Sequence, residues 1–200
     1  MQSHFSAIRD ILLRIGEQVE GNLVCDIHPD NLQMQTNEAK IKNLQHVVRG
    51  KTRICEIGVN AGHSLLLMLE ANSTADYVLF DIGIHKYTRP CVEYIQSQFP
   101  NTSIQIIYGD SKQTIPNYVG EFDCIHVDGG HEPPEVMSDY KESMRLIVPG
   151  CPIVFDDYSN YSFIQIFLNE KLQTGEINLY ADTELQATNQ HLIFTNPLKH

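Results

Sequence analysis

The stretch IHVDGGHEPPEV, Ile125 to Val136, decides how the whole chain is read. Strand-forming residues deliver Asp128, Gly129 and Gly130 break the run, and His131 follows before a proline pair. Pro133 and Pro134 fit the first turn of a helix, where a missing backbone N–H costs nothing. A strand that corners sharply into a helix is one half of a βαβ unit. The two glycines give the corner its freedom, so Asp128 and His131 are expected to face one cavity. Connections held by a rigid scaffold are where binding and catalytic groups concentrate.

The same rhythm runs outward in both directions. TRICEIG (52–58), DYVLFDI (76–82), SIQIIYG (103–109), FDCIHVD (122–128) and CPIVFDD (151–157) are short apolar runs closed by Gly or Asp. Strands apolar on both faces belong in a parallel sheet covered on both sides. Helical patterns lie between them. Ser64–Ala71 is apolar nearly all round. Thr88–Phe99 places Val92, Ile95 and Phe99 on one stripe and is stopped by Pro100, and Pro133–Ile147 does the same with Val136, Tyr140 and Ile147. Ser159–Leu172 is expected to turn Phe163, Ile166 and Phe167 inward.

The tail changes period: EINLYA (176–181) and HLIFTN (191–196) read as an antiparallel hairpin at the sheet edge. The expected fold is α/β, a doubly wound, Rossmann-like, seven-stranded and mostly parallel sheet ending in that hairpin. Ligands then sit beyond the carboxyl ends of the strands. Residues 1–36 form a helical cover or lid, with Phe5, Ile8, Leu12, Ile15 and Val19 on one helix. Residues 37–200 form the main domain, opening on a helix over 38–48.

A net charge of −11 argues against gripping nucleic-acid phosphates or anionic lipid. The longest aliphatic run, Leu65–Leu69, is far too short for a bilayer, and the N-terminus lacks the pattern of a secretory signal. Five scattered cysteines without a CxxC pair, Cys25 included, suit reduced thiols in a cytoplasmic protein. The sequence leaves open whether the chain assembles with itself.

EIGVNAGHS, Glu56 to Ser64, forms another strand-to-helix corner. Gly58 permits a tight turn, and Gly62 would let backbone approach a ligand closely. The spacing is neither the dinucleotide fingerprint nor a P-loop. Glu56 would repel a pyrophosphate and suit an amino group. Asp81, closing the second strand, is placed to take both hydroxyls of a ribose. Asp110 and Ser111 after the third can meet the edge of an adenine. Together these residues call for a nucleoside bearing positive charge.

EIGVNAGHS, the Asp81 strand end, GDS at 109–111 and DCIHVDGGH resemble class I S-adenosylmethionine methyltransferases. Within them the likeness is to the small-molecule O-methyltransferases related to catechol O-methyltransferase and to the antibiotic-sugar methyltransferases. It covers roughly residues 37–195. It implies that Glu56, Gly58, Asn60 and Ser64 hold the methionine end of S-adenosylmethionine, with Asp81 on the ribose and Asp110, Ser111 and Asp128 completing the cofactor site.

Asp128 ends the fourth strand, and Asp156 and Asp157 end the fifth, so three carboxylates converge. Like charges this close raise one another's pKa, and a hard cation, Mg²⁺ or Mn²⁺, removes the conflict. Either acid of the pair could instead cap the helix ahead. The metal-dependent branch of the resembled family carries acids at these places. It puts a lysine base, or in the sugar enzymes a histidine, three residues beyond the first. His131 is therefore the expected general base, acting on a small hydroxylated acceptor, with a sugar favoured over a catechol. His126, deeper on its strand, reads as a satisfied core histidine. His28, His46, His63, His85, His191 and His200 show no ligand spacing. A metallohydrolase would leave the Glu56–Ser64 loop and Asp81 unexplained; a non-catalytic cofactor-binding module or oligomer partner would have the N-terminal helix as its working surface.

Overall fold

The computed structural model describes residues 2–20 and 38–197. Cys25, His28 and His200, and the boundary drawn between residues 36 and 37, lie outside the described residues. Helices α1 (Gln2–Ile15) and α2 (Glu38–Val47) precede the alternating series. That series runs β1 (Arg53–Ile57), α3 (His63–Ala71), β2 (Asp76–Asp81), α4 (Thr88–Gln98), β3 (Ile104–Tyr108) and α5 (Ser111–Thr114). It continues with β4 (Cys124–Val127), α6 (Pro133–Leu146), β5 (Pro152–Phe155), α7 (Ser162–Gln173), β6 (Asn178–Leu179) and β7 (Leu192–Thr195).

The strands form one sheet in the order β3-β2-β1-β4-β5-β7-β6, parallel through β5 and antiparallel at β7 and β6. The doubly wound sheet and its terminal hairpin are as expected. Side chains alternate across each strand, which divides the core between two faces. Ile54, Tyr77, Leu79, Cys124 and Val154 pack with α1 to α4. Cys55, Phe80, Ile125 and Phe155 pack with α6 and α7. Each aliphatic side chain fully buried in these layers contributes about 1.5–3 kcal/mol. α3 is internal from His63 to Leu69, with Leu65 to Leu69 all at 1% exposure or less.

Phe5, Ile8, Ile11 and Leu12 of α1 join the same cluster as the first strands, so α1 shares the core of the main sheet. Phe5 stacks on His63, whose burial pushes its pKa down to about 4 and keeps it neutral. The described cysteines are free, and among the described residues no helix is long and apolar enough to cross a membrane.

α7 departs from expectation. It begins at Ser162, and its inward residues are Ile164 and Leu168, while Ile166 is 67% exposed and Phe163 and Phe167 are half-buried. Apolar residues cover much of this helix's circumference, so their period alone does not choose which edge meets the sheet. The short α5 and the 3-10 turn after it, Ile115–Asn117, were not foreseen. Their stretch is too short and polar to carry a periodic signal.

Candidate active site

β1 sends its continuation to β2 and β3 on one side of the sheet, while β4 and β5 lie on the other. The strand order reverses between β1 and β4, the place where such sheets bind ligands. A cavity of about 330 Å³ opens there, beyond the carboxyl ends of the strands. Gly58, Asn60, Asp81, Asp110, Ser111, Asp128, His131 and Asp157 all line it. Glu56, Ser64 and Asp156 do not.

Gly58 adopts φ 86, and a Cβ there would lie 1.9 Å from the Asp128 carbonyl oxygen. The glycine is needed because the end of β4 presses against this loop. Gly62 serves packing as well: a Cβ would meet Ile95 Cδ1 at 2.5 Å, and the residue does not line the cavity, so close approach to a ligand is not its role. At the opening corner the glycines are likewise demanded by crowding rather than by an unusual φ. A Cβ on Gly129 would meet the Asp139 carboxylate, and one on Gly130 the Glu135 carboxylate.

Asp81 ties the first loop to the end of β2. Its Oδ2 accepts the backbone N–H groups of Val59 and Asn60, both at 2.9 Å, and its Oδ1 accepts that of Gly83 at 2.7 Å. A carboxylate offers about four acceptor positions. Three of these are taken by backbone N–H groups of the two loops. Asp110 caps α5, its Oδ1 accepting from the Lys112 N–H. Beyond the expected residues, Ile82 and Ile84 are exposed apolar side chains in the cavity wall, suited to the flat face of a base. Both follow the Asp81 strand end, where a loop with two exposed isoleucines was the available signal.

Glu56 and Ser64 are withdrawn from the cavity because they face each other. The Ser64 hydroxyl donates to Glu56 Oε1, which also meets His126 Nδ1 at 3.0 Å. Parallel pairing sets Glu56 beside His126 on one sheet face. The opposite edge of the imidazole approaches Asp156 Oδ2 at 3.6 Å. Burial alone would lower the His126 pKa. The carboxylates of Asp156 and Glu56 outweigh it and raise the group to about 10. His126, 1% exposed and partnered by Glu56, is the satisfied core histidine expected, here set between two carboxylates. Asp156 is 2% exposed and also meets Lys40 of α2, with Nζ 2.5 Å from Oδ2. Burial works against the Asp156 carboxylate, but His126 and Lys40 hold its pKa well below the usual range.

The register Val127↔Phe155 brings the next residues, Asp128 and Asp156, level at adjoining strand ends. Burial and the neighbouring Asp156 charge raise the Asp128 carboxyl to about 7, against the opposing pull of His126 and Lys40. Asp157 stands in the left-handed region at φ 57, an uncommon backbone state for a residue other than glycine. Its Oδ2 lies 2.7 Å from His131 Nε2 and its Oδ1 accepts from Asn160 Nδ2. It does not cap α7 with its side chain; the N-cap is Tyr161, with no side-chain cap bond. The His131 ring stacks on Tyr161 at 4.1 Å. Asp157 raises the His131 pKa, burial opposing.

The donor set fits a small hard cation: Asp128, His131 and Asp157 offer ligand atoms within 4.8 Å of one another, as do His126, Asp128 and Asp156. The cavity fits a nucleoside-bearing cofactor as well. Asn60, which lines it, has in Oδ1 a buried acceptor without a hydrogen-bond partner among the described residues.

The protein is similar in fold to cofactor-bound Rv0187 from MTB, with TM-score 0.68 and 14% identity over 97% of this chain and 89% of that one. It is similar to the O-methyltransferase TomG from Streptomyces achromogenes in complex with SAM, with TM-score 0.62 and 15% identity over 96% and 87% of the two chains. The N-methyltransferase NodS from Bradyrhizobium japonicum WM9 also shares the fold, with TM-score 0.57 and 14% identity over 84% and 98%. Among curated proteins none matches the sequence. A family model described as a methyltransferase domain matches residues 55–158, just over half the chain and every strand end that lines the cavity from β1 to β5. The chain therefore belongs to the methyltransferase-domain family, and the metallohydrolase alternative is set aside.

Proposed function

We propose that the protein is an S-adenosylmethionine-dependent O-methyltransferase, assisted by a divalent cation, that methylates a hydroxyl of a small molecule, a sugar unit in preference to a catechol. The observation that carries this reading is the His131–Asp157 pair at 2.7 Å on the wall of the cavity that Gly58, Asp81 and Asp110 also line. S-adenosylmethionine supplies an electrophilic sulfonium methyl, and a divalent cation near Asp128 and Asp157 supplies the Lewis acidity that lowers a hydroxyl pKa.

The chain's own residues do the rest. Asn60 and Asp81 position the amino-acid and ribose parts of the cofactor, and Asp110 and Ser111 meet the adenine edge. Asp157, its Oδ2 2.7 Å from His131 Nε2, orients the imidazole, and the neutral ring takes the acceptor's proton. Tyr161, 41% exposed, braces the imidazole and offers an aromatic surface beside it. An oxygen acceptor suits this constellation because a hydroxyl needs a base before it becomes a strong nucleophile. The name of TomG as an O-methyltransferase supports the same reading.

Calorimetry with S-adenosylmethionine tests the cofactor, and methyl transfer to a panel of sugars and catechols tests the acceptor. Absence of cofactor binding to the metal-loaded protein would reject the proposal.

A further inference from the structure

The three acids at the ends of β4 and β5 are not equivalent. Asp156 has both oxygens engaged inside the protein. Oδ1 accepts the Asp157 N–H at 2.8 Å, and Oδ2 lies 2.5 Å from Lys40 Nζ with His126 Nε2 at 3.6 Å. Lys40 is only 6% exposed, and Asp156 is 2% exposed. Neither lines the cavity. Asp128 and Asp157 both do, as does His131. A buried carboxylate held by a buried ammonium is costly to separate, because either charge left alone in a poorly solvated site carries its full desolvation penalty.

The geometry points to a divalent-cation site made from Asp128 and Asp157, from which Lys40 withholds Asp156. This rests on the metal part of the proposed function and departs from the carboxylate trio expected of the sequence. Lys40 acts as a positioning residue. Its ammonium occupies the place beside Asp156 that a cation would otherwise fill, and so divides one acidic cluster into a paired inner acid and two outward ones. His126, flanked by Glu56 and Asp156, closes the inner side of the same division.

The test is Mn²⁺ titration of the full chain without cofactor or acceptor, followed by the electron paramagnetic resonance of the free ion. The charge-neutral double variant Lys40→Met/Asp156→Asn removes a paired cation and anion together. It should bind Mn²⁺ within about threefold of the parent protein, whereas Asp157→Asn and Asp128→Asn should each weaken binding by about tenfold or more. Lys40→Met alone frees Asp156 and should tighten binding by about tenfold. If its unpaired acid prevents folding, the double variant still decides the matter. A tenfold loss in the double variant would make Asp156 a ligand and overturn the inference while leaving the proposed function intact. Failure of the parent protein to bind Mn²⁺ would overturn both this inference and the metal part of that function, even if methyl transfer persists.

Discussion

His131 Nε2 and Asp157 Oδ2 stand 2.7 Å apart although they come from different strand ends, one after β4 and one after β5. The left-handed backbone at Asp157 and the stacking of Tyr161 on the imidazole fix that meeting. A residue held in such a conformation persists only where its surroundings over-determine it, and such residues cluster at functional sites. Replacing His131 with Ala should therefore leave S-adenosylmethionine affinity within about threefold and cut methyl transfer by roughly 10²-fold or more, the usual worth of a general base. Calorimetry and single-turnover transfer measure the two effects separately. Unchanged turnover would remove the histidine from the chemistry.

Gly58 tests the coupling between the first loop and β4. A methyl group at its α-carbon would collide with the Asp128 carbonyl and would also hold alanine at φ 86. Gly58→Ala should cost roughly 2–4 kcal/mol, the sum of a left-handed strain and an overpacked contact. Urea unfolding gives the number, and a loss under 0.5 kcal/mol, the range of an ordinary surface change, would contradict the described contact.

Asp81 makes a different prediction, because its carboxylate accepts three backbone N–H groups. Asp81→Asn supplies a single acceptor oxygen and sets an NH₂ group against donors. The variant should lose about 1–3 kcal/mol through unsatisfied backbone groups. It should also weaken cofactor binding about tenfold or more, because the loop carrying Asn60 loses its tether. Thermal unfolding with and without S-adenosylmethionine separates the two losses. Full cofactor affinity would show that the loop holds its shape without Asp81.

Asp139 gives a pH dependence. It is 1% exposed, and burial raises its pKa to about 6, partly offset by the neighbouring Ser111 and Lys112. An acid whose folded pKa lies above its unfolded value of about 3.9 binds its proton more tightly when folded. The stability it confers is present below the unfolded pKa and is lost as pH rises toward about 6. Asp139→Asn removes that ionisation. Relative to the parent protein it should gain on the order of 1–3 kcal/mol at pH 7 and little at pH 4. Denaturant unfolding at the two pH values checks this, and an equal effect at both would refute it.

Much of the fold was legible because a parallel sheet covered on both faces needs short apolar runs on both parities, and five such runs ended on Gly or Asp. The corners at Gly58 and Gly130 could be located from those endings alone. Helix facing was less legible: in α7 the surplus of apolar side chains hid which edge, Ile164 and Leu168, would meet the sheet. The candidate site was visible as a set of strand-end residues, and Asp81, Asp110, Asp128, His131 and Asp157 do share one cavity.

The sequence by itself determined the order of elements, the hairpin at the edge and the places where polar residues end strands, since these depend on local period and chain-breaking residues. Only the tertiary structure decided how the charges pair. Lys40 lies on a helix far from β5 in the chain, and nothing local announces that its ammonium will meet Asp156, or that His126 will stand between Glu56 and Asp156. Such pairings arise from the stacking of α2 against the sheet and from the register of neighbouring strands. Both are long-range consequences of burying the apolar faces, and they turn three similar aspartates into one inner and two outer acids.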